Sequence, residues 1–371
     1  MPTESQPMIH WLPASPKEGW ASMDRYWHEL HKLVISQPPS DFGITCALTG
    51  PPPVRSASAP RWQRFLEKYI LYPRRARLQK GSLYHILDHS YAHLLKHLRA
   101  GPPKVVTVFD LVPLEDNQGL NSAQVERFRR TVMHLRNADH LISISEETKH
   151  ALQRLLGIPP ERVTVAVPGT DFETFQKRLS ESHPLNRRLR DLPPIIFSVG
   201  STVRRKNLAS LPAILAAMRD LFQQNKACFV RAGDTLPEAL RQEITAITGP
   251  NGFIELGPLF GSDLIAAFQS AKALIFPSTL EGLTFVIPEA MAAGCPVVTN
   301  TLTANPEAGG EAALYYSEGD SAQAAHHLRN LITQTEFHAK QQALGLDRAR
   351  LLTWHRHWQI VQTVYQKLLY S

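Results

Sequence analysis

Residues 281–298 read EGLTFVIPEAMAAGCPVV and follow the apolar run ALIFPS at 273–278. That run predicts a buried strand, and the stretch after it predicts a loop turning into a short helix. Proline is tolerated in a first helical turn because its missing N–H would have no partner there, so the helix is expected to start near Val286 to Pro288. Glu289 then lies in the first turn, where free amides and the helix dipole favour an anion. Gly294 and Pro296 end the helix, and Cys295 to Thr299 reads as another buried strand. Two acids, Glu281 and Glu289, thus flank a strand-to-helix turn able to cradle a polar ligand.

A chain of 371 residues is long enough for two domains that each bury a core. The net charge of +7 fits an anionic partner, whether a phosphorylated substrate, a membrane surface or nucleic acid, and does not choose among them. Cys46, Cys228 and Cys295 have no metal-ligand spacing and read as buried core thiols of a reducing compartment. No secretion signal opens the chain, and no apolar run approaches the roughly 20 residues that span a bilayer. A cytoplasmic protein is expected.

Upstream, Met8 to Leu12 reads as a strand, 13–20 as a loop containing Gly19, and Ala21 to Ile35 as a helix with apolar residues at helical spacing. Further strands are expected at 43–48, 84–88, 104–110, 140–145 and 162–167. The loop at 49–60 is rich in Pro and Ser and reads as mobile. Residues 61–80 predict a helix broken near Pro73, with seven Arg and Lys residues set among Trp62, Phe65, Tyr69 and Tyr72. Such a segment fits an anionic membrane surface, and a solvated helix face over core aromatics fits it as well. His85, His89, His93 and His97 read as helix-face residues. His89 and His93 are one turn apart, but no third ligand is spaced to complete a zinc site.

Between about Asp171 and Pro194 the apolar period gives way to charge, as expected of a link between domains. A second strand series then starts at 195–200 and continues at 227–231, 252–256, 273–276, 296–299 and 313–316. Strands alternating with helices imply two α/β domains with doubly wound parallel sheets, whose ligands bind beyond the carboxyl ends of the strands. The boundaries drawn are 1–172, a linker at 173–193, a domain at 194–350 and a final helical segment at 351–371.

One such end carries Arg204, Arg205, Lys206 and Asn207 after the strand IIFSVG. Guanidinium forks, an ammonium and free amides converging there make a phosphate site, although the P-loop pattern is absent. Glu281 and Glu289 also raise the thought of a glycosidase pair. Glu289 on an apolar helix is better placed to accept hydroxyl hydrogen bonds. Gly282 to Thr284 offer backbone amides to an anion.

These residues carry a resemblance. The second half, from SVGSTVRRKN through ALIFPSTLEGLTFVIPEAMAAGCPVVTN, resembles the donor domain of the family 4 retaining glycosyltransferases of the GT-B fold. The first half resembles their acceptor domain in HILDHSYAHLL, in VVTVFDLVPL and in ADHLISISEETKHALQRLLGIPPERVTVAVPGTD. The resemblance implies two Rossmann-like domains facing an interdomain cleft, and a last helix crossing back to the first domain. It implies that Glu281 holds hydroxyls of the transferred sugar and Glu289 the ribose of the nucleotide. Arg205 and Lys206 would neutralise the diphosphate, with Gly200, Ser201, Asn207, Gly282, Leu283 and Thr284 around the donor. Leu259 in GPLFG would border the base, and Gly19 would let its loop approach the phosphate. Asp110 is retained near the reacting sugar, and Trp20, His89 and Phe109 fall on the acceptor side.

Two departures stand out. Phe109 occupies the place of a histidine common in the family, and EGLT replaces the common EGFG, so that Thr284 adds a side chain. The activity implied is metal-independent transfer of a hexosyl group from a nucleoside diphosphate sugar to a glycan, lipid-linked or small-molecule acceptor, with retention and with no cofactor beyond the donor itself. A protein of the same fold that binds its ligand without turnover stays open because of Phe109. No nucleic-acid-binding module is recognisable.

Overall fold

The computed structural model describes residues 6–48, 59–116 and 119–370. Residues 49–58 of the Pro/Ser-rich loop lie outside them. The chain divides into two compact units, Met1–Gly169 with Trp354–Ser371, and Thr170–Thr353.

The first unit is built on six parallel strands, β1 (Met8–Leu12), β2 (Gly43–Cys46), β3 (Leu83–Ile86), β4 (Lys104–Val108), β5 (His140–Ser143) and β6 (Val163–Val165), in the order β2-β1-β3-β4-β5-β6. The second repeats the plan with β7 (Ile195–Gly200), β8 (Cys228–Gly233), β9 (Phe253–Glu255), β10 (Ala271–Phe276), β11 (Val297–Asn300) and β12 (Leu314–Tyr316), ordered β12-β11-β10-β7-β8-β9. The central strands are aliphatic and buried on both faces, as helix-covered parallel sheets require. Strand order reverses direction between β1 and β3 and between β7 and β10, and loops diverging at such a point leave a crevice for ligands.

Local signals fix the helices. Asn121 and Gln124 form a capping box at the start of Ser122–Val132, and Ser145 caps Glu146–Leu156, which ends on left-handed Gly157. Segment 173–193, read as a link, carries parts of the short helices Phe172–Gln176 and Pro184–Leu189. Their Phe175, Leu185 and Leu189 enter the apolar core of the second unit. The last helix, Trp354–Tyr370, belongs to the first unit, where Trp11 Nε1 donates to Tyr365 Oη at 3.0 Å and the Trp11 and Trp358 rings meet edge to face.

Two expectations are corrected. The helix from Arg61 to Leu78 does not break at Pro73; a π-turn over Glu67–Leu71 joins its two α-helical parts. Proline has no N–H to give and crowds the carbonyl four residues back, and the wider turn accommodates both. His85 lies inside β3 and has no exposed surface, so it is a core residue of the sheet; His89–His97 forms a 3₁₀ helix. Among the described residues no helix is long and apolar enough to cross a membrane.

Candidate active site

The loop after β7 winds through a 3₁₀ turn, Arg204–Lys206, and ends on Asn207 in the left-handed region at φ 51°. Asparagine tolerates this conformation better than most residues, which explains why the turn closes there. The Arg205 carbonyl accepts from Thr279 N at 2.8 Å and Ser278 Oγ at 3.1 Å, so the β7 loop is tied to the loop after β10.

Those bonds bring the expected cations onto the expected acid. Glu281 is buried, and it accepts from Lys206 Nζ at 2.5 Å, Arg205 Nη1 at 2.5 Å and Ser278 Oγ at 2.6 Å. Its own N–H donates to Thr303 Oγ1 at 3.1 Å. Burial lowers the pKa of the Lys206 ammonium, and Glu281 opposes that shift. One carboxylate against two cations leaves an excess positive charge at the sheet's switch point, with exposed Arg204 adjoining it.

Glu289 is buried at the fourth position of the helix Val286–Ala292, which begins where the sequence suggested. Thr284 turns inward; its hydroxyl accepts from Val286 N at 3.2 Å, so its added side chain braces the turn. Gly282 and Leu283 are half-buried beside it, as are Gly200 and Ser201 at the end of β7. Leu259 follows β9 and packs against the core of the second unit.

Sequence reading missed the polar frame beneath this loop. Asn300 Nδ2 donates to the carbonyls of Pro277 and Ser278, and Asn305 Nδ2 donates to the same Ser278 carbonyl and to Asn300 Oδ1. The signal was available: TNTLTAN at 299–305 is polar directly after a buried strand at the switch point.

In the first unit, Gly19 is left-handed at φ 69° and donates to the Pro16 carbonyl at 3.1 Å, leading into half-buried Trp20. Glu18 beside it is buried and meets Lys68 Nζ at 3.5 Å, and Lys68 lies 4.9 Å from the Trp20 ring centre. Neither charge had been singled out, because a Lys within a basic helix gives no sign of facing inward. Asp110 Oδ1 accepts from Val112 N at 3.1 Å. Phe109, placed on the acceptor side, is only 3% exposed and packs edge to face on Tyr26 with centroids 5.1 Å apart. His89 lies next to it, its Nδ1 accepting from Phe109 N at 3.3 Å. His93 Nε2 is engaged by the Lys68 carbonyl, and among the described residues no group of three His, Cys, Asp or Glu side chains could hold a metal ion.

Two comparisons join this geometry to known proteins. Residues 28–174 match the family described as Glycosyltransferase Family 4, and residues 193–334 the family described as Glycosyl transferases group 1, so that together they span most of the chain. The chain is 23% identical over 301 residues to O-antigen chain mannosyltransferase B of Escherichia coli, covering 78% of this chain and 76% of that protein. It is 25% identical over 229 residues to D-inositol 3-phosphate glycosyltransferase of Corynebacterium glutamicum, 59% of this chain and 54% of that one. With serotype-specific mannosyltransferase WbdA of Escherichia coli it shares 24% identity over 280 residues, 73% of this chain but 34% of WbdA. The chain therefore spans about a third to a half of the latter two relatives.

Among solved structures, sucrose-phosphate synthase from Thermosynechococcus elongatus superposes with a TM-score of 0.70 at 17% identity, over 99% of this chain and 100% of that one. Anabaena HepE, solved with UDP-glucose, gives 0.70 at 18% identity over 97% and 100%. Two six-stranded parallel sheets of this kind are the fold of the GT-B glycosyltransferases. The chain belongs to glycosyltransferase family 4, its second half matching the glycosyl transferases group 1.

Proposed function

We propose that this glycosyltransferase moves a hexosyl group from a nucleoside diphosphate sugar to a hydroxyl of a glycan or lipid-linked acceptor, with retention of anomeric configuration and without a metal. The observation that carries the reading is the cluster of Arg205, Lys206 and Ser278 on Glu281 at the switch point of the second sheet. Departure of a nucleoside diphosphate builds negative charge on its phosphates, and cations already fixed in a partly buried site stabilise that charge without reorganising. Arg205 and Lys206 take this role. Glu281 then accepts from sugar hydroxyls and Glu289 from the ribose, while Gly282 to Thr284 line the donor loop. The leaving phosphate takes the acceptor proton on the face it vacates. Relatives named as mannosyltransferases and a fold neighbour solved with UDP-glucose support this donor class.

The acceptor falls to the first unit, through Trp20, His89 and Phe109, with Asp110 a catalytic residue beside the reacting sugar. We also propose a cytoplasmic location with contact at the inner membrane face through the helix Arg61–Leu78. Tyr72 and Ala76 anchor it in the core, but Trp62, 66% exposed, and Leu78, 79% exposed, point outward, whereas Glu67 and Lys68 face in.

Nucleotide release from candidate donors in the presence of acceptor extract tests the reading. Turnover that disappears in Glu281→Ala is the expected result; no release from any nucleoside diphosphate sugar would sink it.

A further inference from the structure

Beneath the donor loop lies a charge to which the proposed reaction gives no role. Arg231, on β8, has no exposed surface. Its guanidinium reaches two backbone carbonyls, Nη2 donating to Gly200 O at 2.9 Å and Nη1 to Asp234 O at 2.5 Å. Its Nε has no partner.

No carboxylate pairs with it among the described residues. Two acids act on it electrostatically without pairing with it, Glu255, whose Oε1 accepts from Leu236 N at 2.7 Å, and Asp234, whose Oδ2 accepts from Thr202 N at 3.2 Å; both oppose the effect of burial on the guanidinium. A guanidinium keeps its proton even when buried, and a buried charge is costly unless an opposite charge compensates it.

The backbone around it is unusually close. Gly200 and Gly233 have φ of 140° and 116°, and a Cβ built on Gly233 would fall 2.0 Å from the Gly200 oxygen that Arg231 holds. A Cβ on Gly200 would in turn lie 3.8 Å from Lys206 Cε. Arg231 thus anchors the carbonyl of the glycine over which the Lys206 stem passes.

We infer that Arg231 is a positioning residue of the donor site, fixing Gly200 beneath Lys206 and adding a buried positive charge behind the cations that receive the donor diphosphate. The inference rests on the reading that Arg205 and Lys206 receive that diphosphate. A solely architectural arginine would support every ligand alike. A charge matched to phosphate favours the diphosphate over the bare nucleoside.

The full chain and its Arg231→Met, Arg231→Gln and Arg231→Lys variants are titrated with UDP against uridine and GDP against guanosine. The parent is expected to prefer one diphosphate strongly. Arg231→Met and Arg231→Gln should each lose about tenfold or more of that preference, as expected for losing the charge-assisted bond that fixes the Gly200 carbonyl under Lys206, while nucleoside affinity stays near the parent's. Arg231→Lys should keep most of it. Should the Met variant fail to fold, Arg231→Gln carries the comparison. An unchanged preference in the uncharged variants, or equal losses for nucleoside and diphosphate, overturns the inference. A parent that itself shows no preference for either diphosphate overturns the donor-site reading instead, and the inference with it.

Discussion

Glu281 accepts from Lys206 Nζ and Arg205 Nη1, each at 2.5 Å, so the carboxylate proposed to hold the donor sugar is also the counter-ion of the cations proposed to hold the donor phosphates. A diphosphate arriving at this site competes with Glu281 for both cations, and the freed carboxylate becomes available to sugar hydroxyls. Glu281→Gln removes the competition but also the acceptor. Affinity for the nucleoside diphosphate alone should rise in this variant, while kcat/KM for transfer falls about 100-fold or more. Calorimetry with the nucleotide and a turnover assay on one preparation check both signs. Weaker nucleotide binding in the variant would contradict the ion-pair exchange.

Acid should unfold the first unit first. Burial lowers the pKa of His10, His93, His140 and His357 to about 4 and that of His85 to about 3, and all five lie in the first unit. In the unfolded chain these imidazoles titrate near 6.5, so between about 6.5 and 4 the unfolded state binds more protons and stability falls as pH falls. One histidine shifted as far as His357 contributes about 3 kcal/mol across that window. All six tryptophans also belong to this unit, so their fluorescence reports on it alone. The fluorescence transition on acidification should begin below pH 6.5 and precede full loss of far-ultraviolet circular dichroism. Coincident transitions would show that the histidines do not set the order.

The tether of the last helix gives a stability prediction. Tyr365 Oη accepts from Trp11 Nε1 and shares a hydrogen bond with His85 Nδ1, whose other nitrogen bonds Thr107 Oγ1 at 2.8 Å. Tyr365→Phe keeps the ring but leaves Trp11 Nε1 and His85 Nδ1 buried without this partner. Urea unfolding followed by tryptophan fluorescence should show a loss of about 1–3 kcal/mol. A change within error would mean that water replaces the hydroxyl.

The sheets and the loop carrying Glu281 were legible in the sequence because their signals are local. Aliphatic runs bounded by Gly and Pro fix the strands, and Pro288 and Gly294 bracket the helix carrying Glu289. What stayed hidden depends on contacts distant in sequence. That Glu281 would bind Arg205 and Lys206, more than seventy residues away, follows from β7 and β10 being neighbours in the sheet. The inward turn of Lys68 and the burial of Arg231 break the rule that long charged side chains face water, and only their partners Glu18 and Gly200 explain them. Phe109 read as a missing polar contact; its ring fills space against Tyr26, a packing role no motif reports.

The helix Arg61–Leu78 buries Tyr72 and Ala76 in the core but leaves much of its apolar surface outside. Trp62, Phe65, Leu66, Leu71 and Leu78 are exposed, together with Arg61, Arg74, Arg77 and the following Lys80. The one acid in the segment, Glu67, is buried and paired with Lys17 and Arg75. The outer face therefore combines apolar side chains with cations and presents no carboxylate, the chemistry of a surface lying on anionic lipid headgroups. Water alone would select the opposite arrangement, since each exposed aromatic forgoes burial. Co-sedimentation should show binding to vesicles containing phosphatidylglycerol, little binding to phosphatidylcholine vesicles, and a loss of binding with added salt as the cations are screened. Trp62→Ser with Phe65→Ser should weaken vesicle binding about 30-fold or more, because aromatic burial contributes on the order of 1–2 kcal/mol per side chain, and should leave the melting temperature unchanged because neither ring is in the core. Vesicle binding that survives both substitutions would place the membrane contact elsewhere. A large drop in melting temperature would show that the exposed rings serve the fold instead.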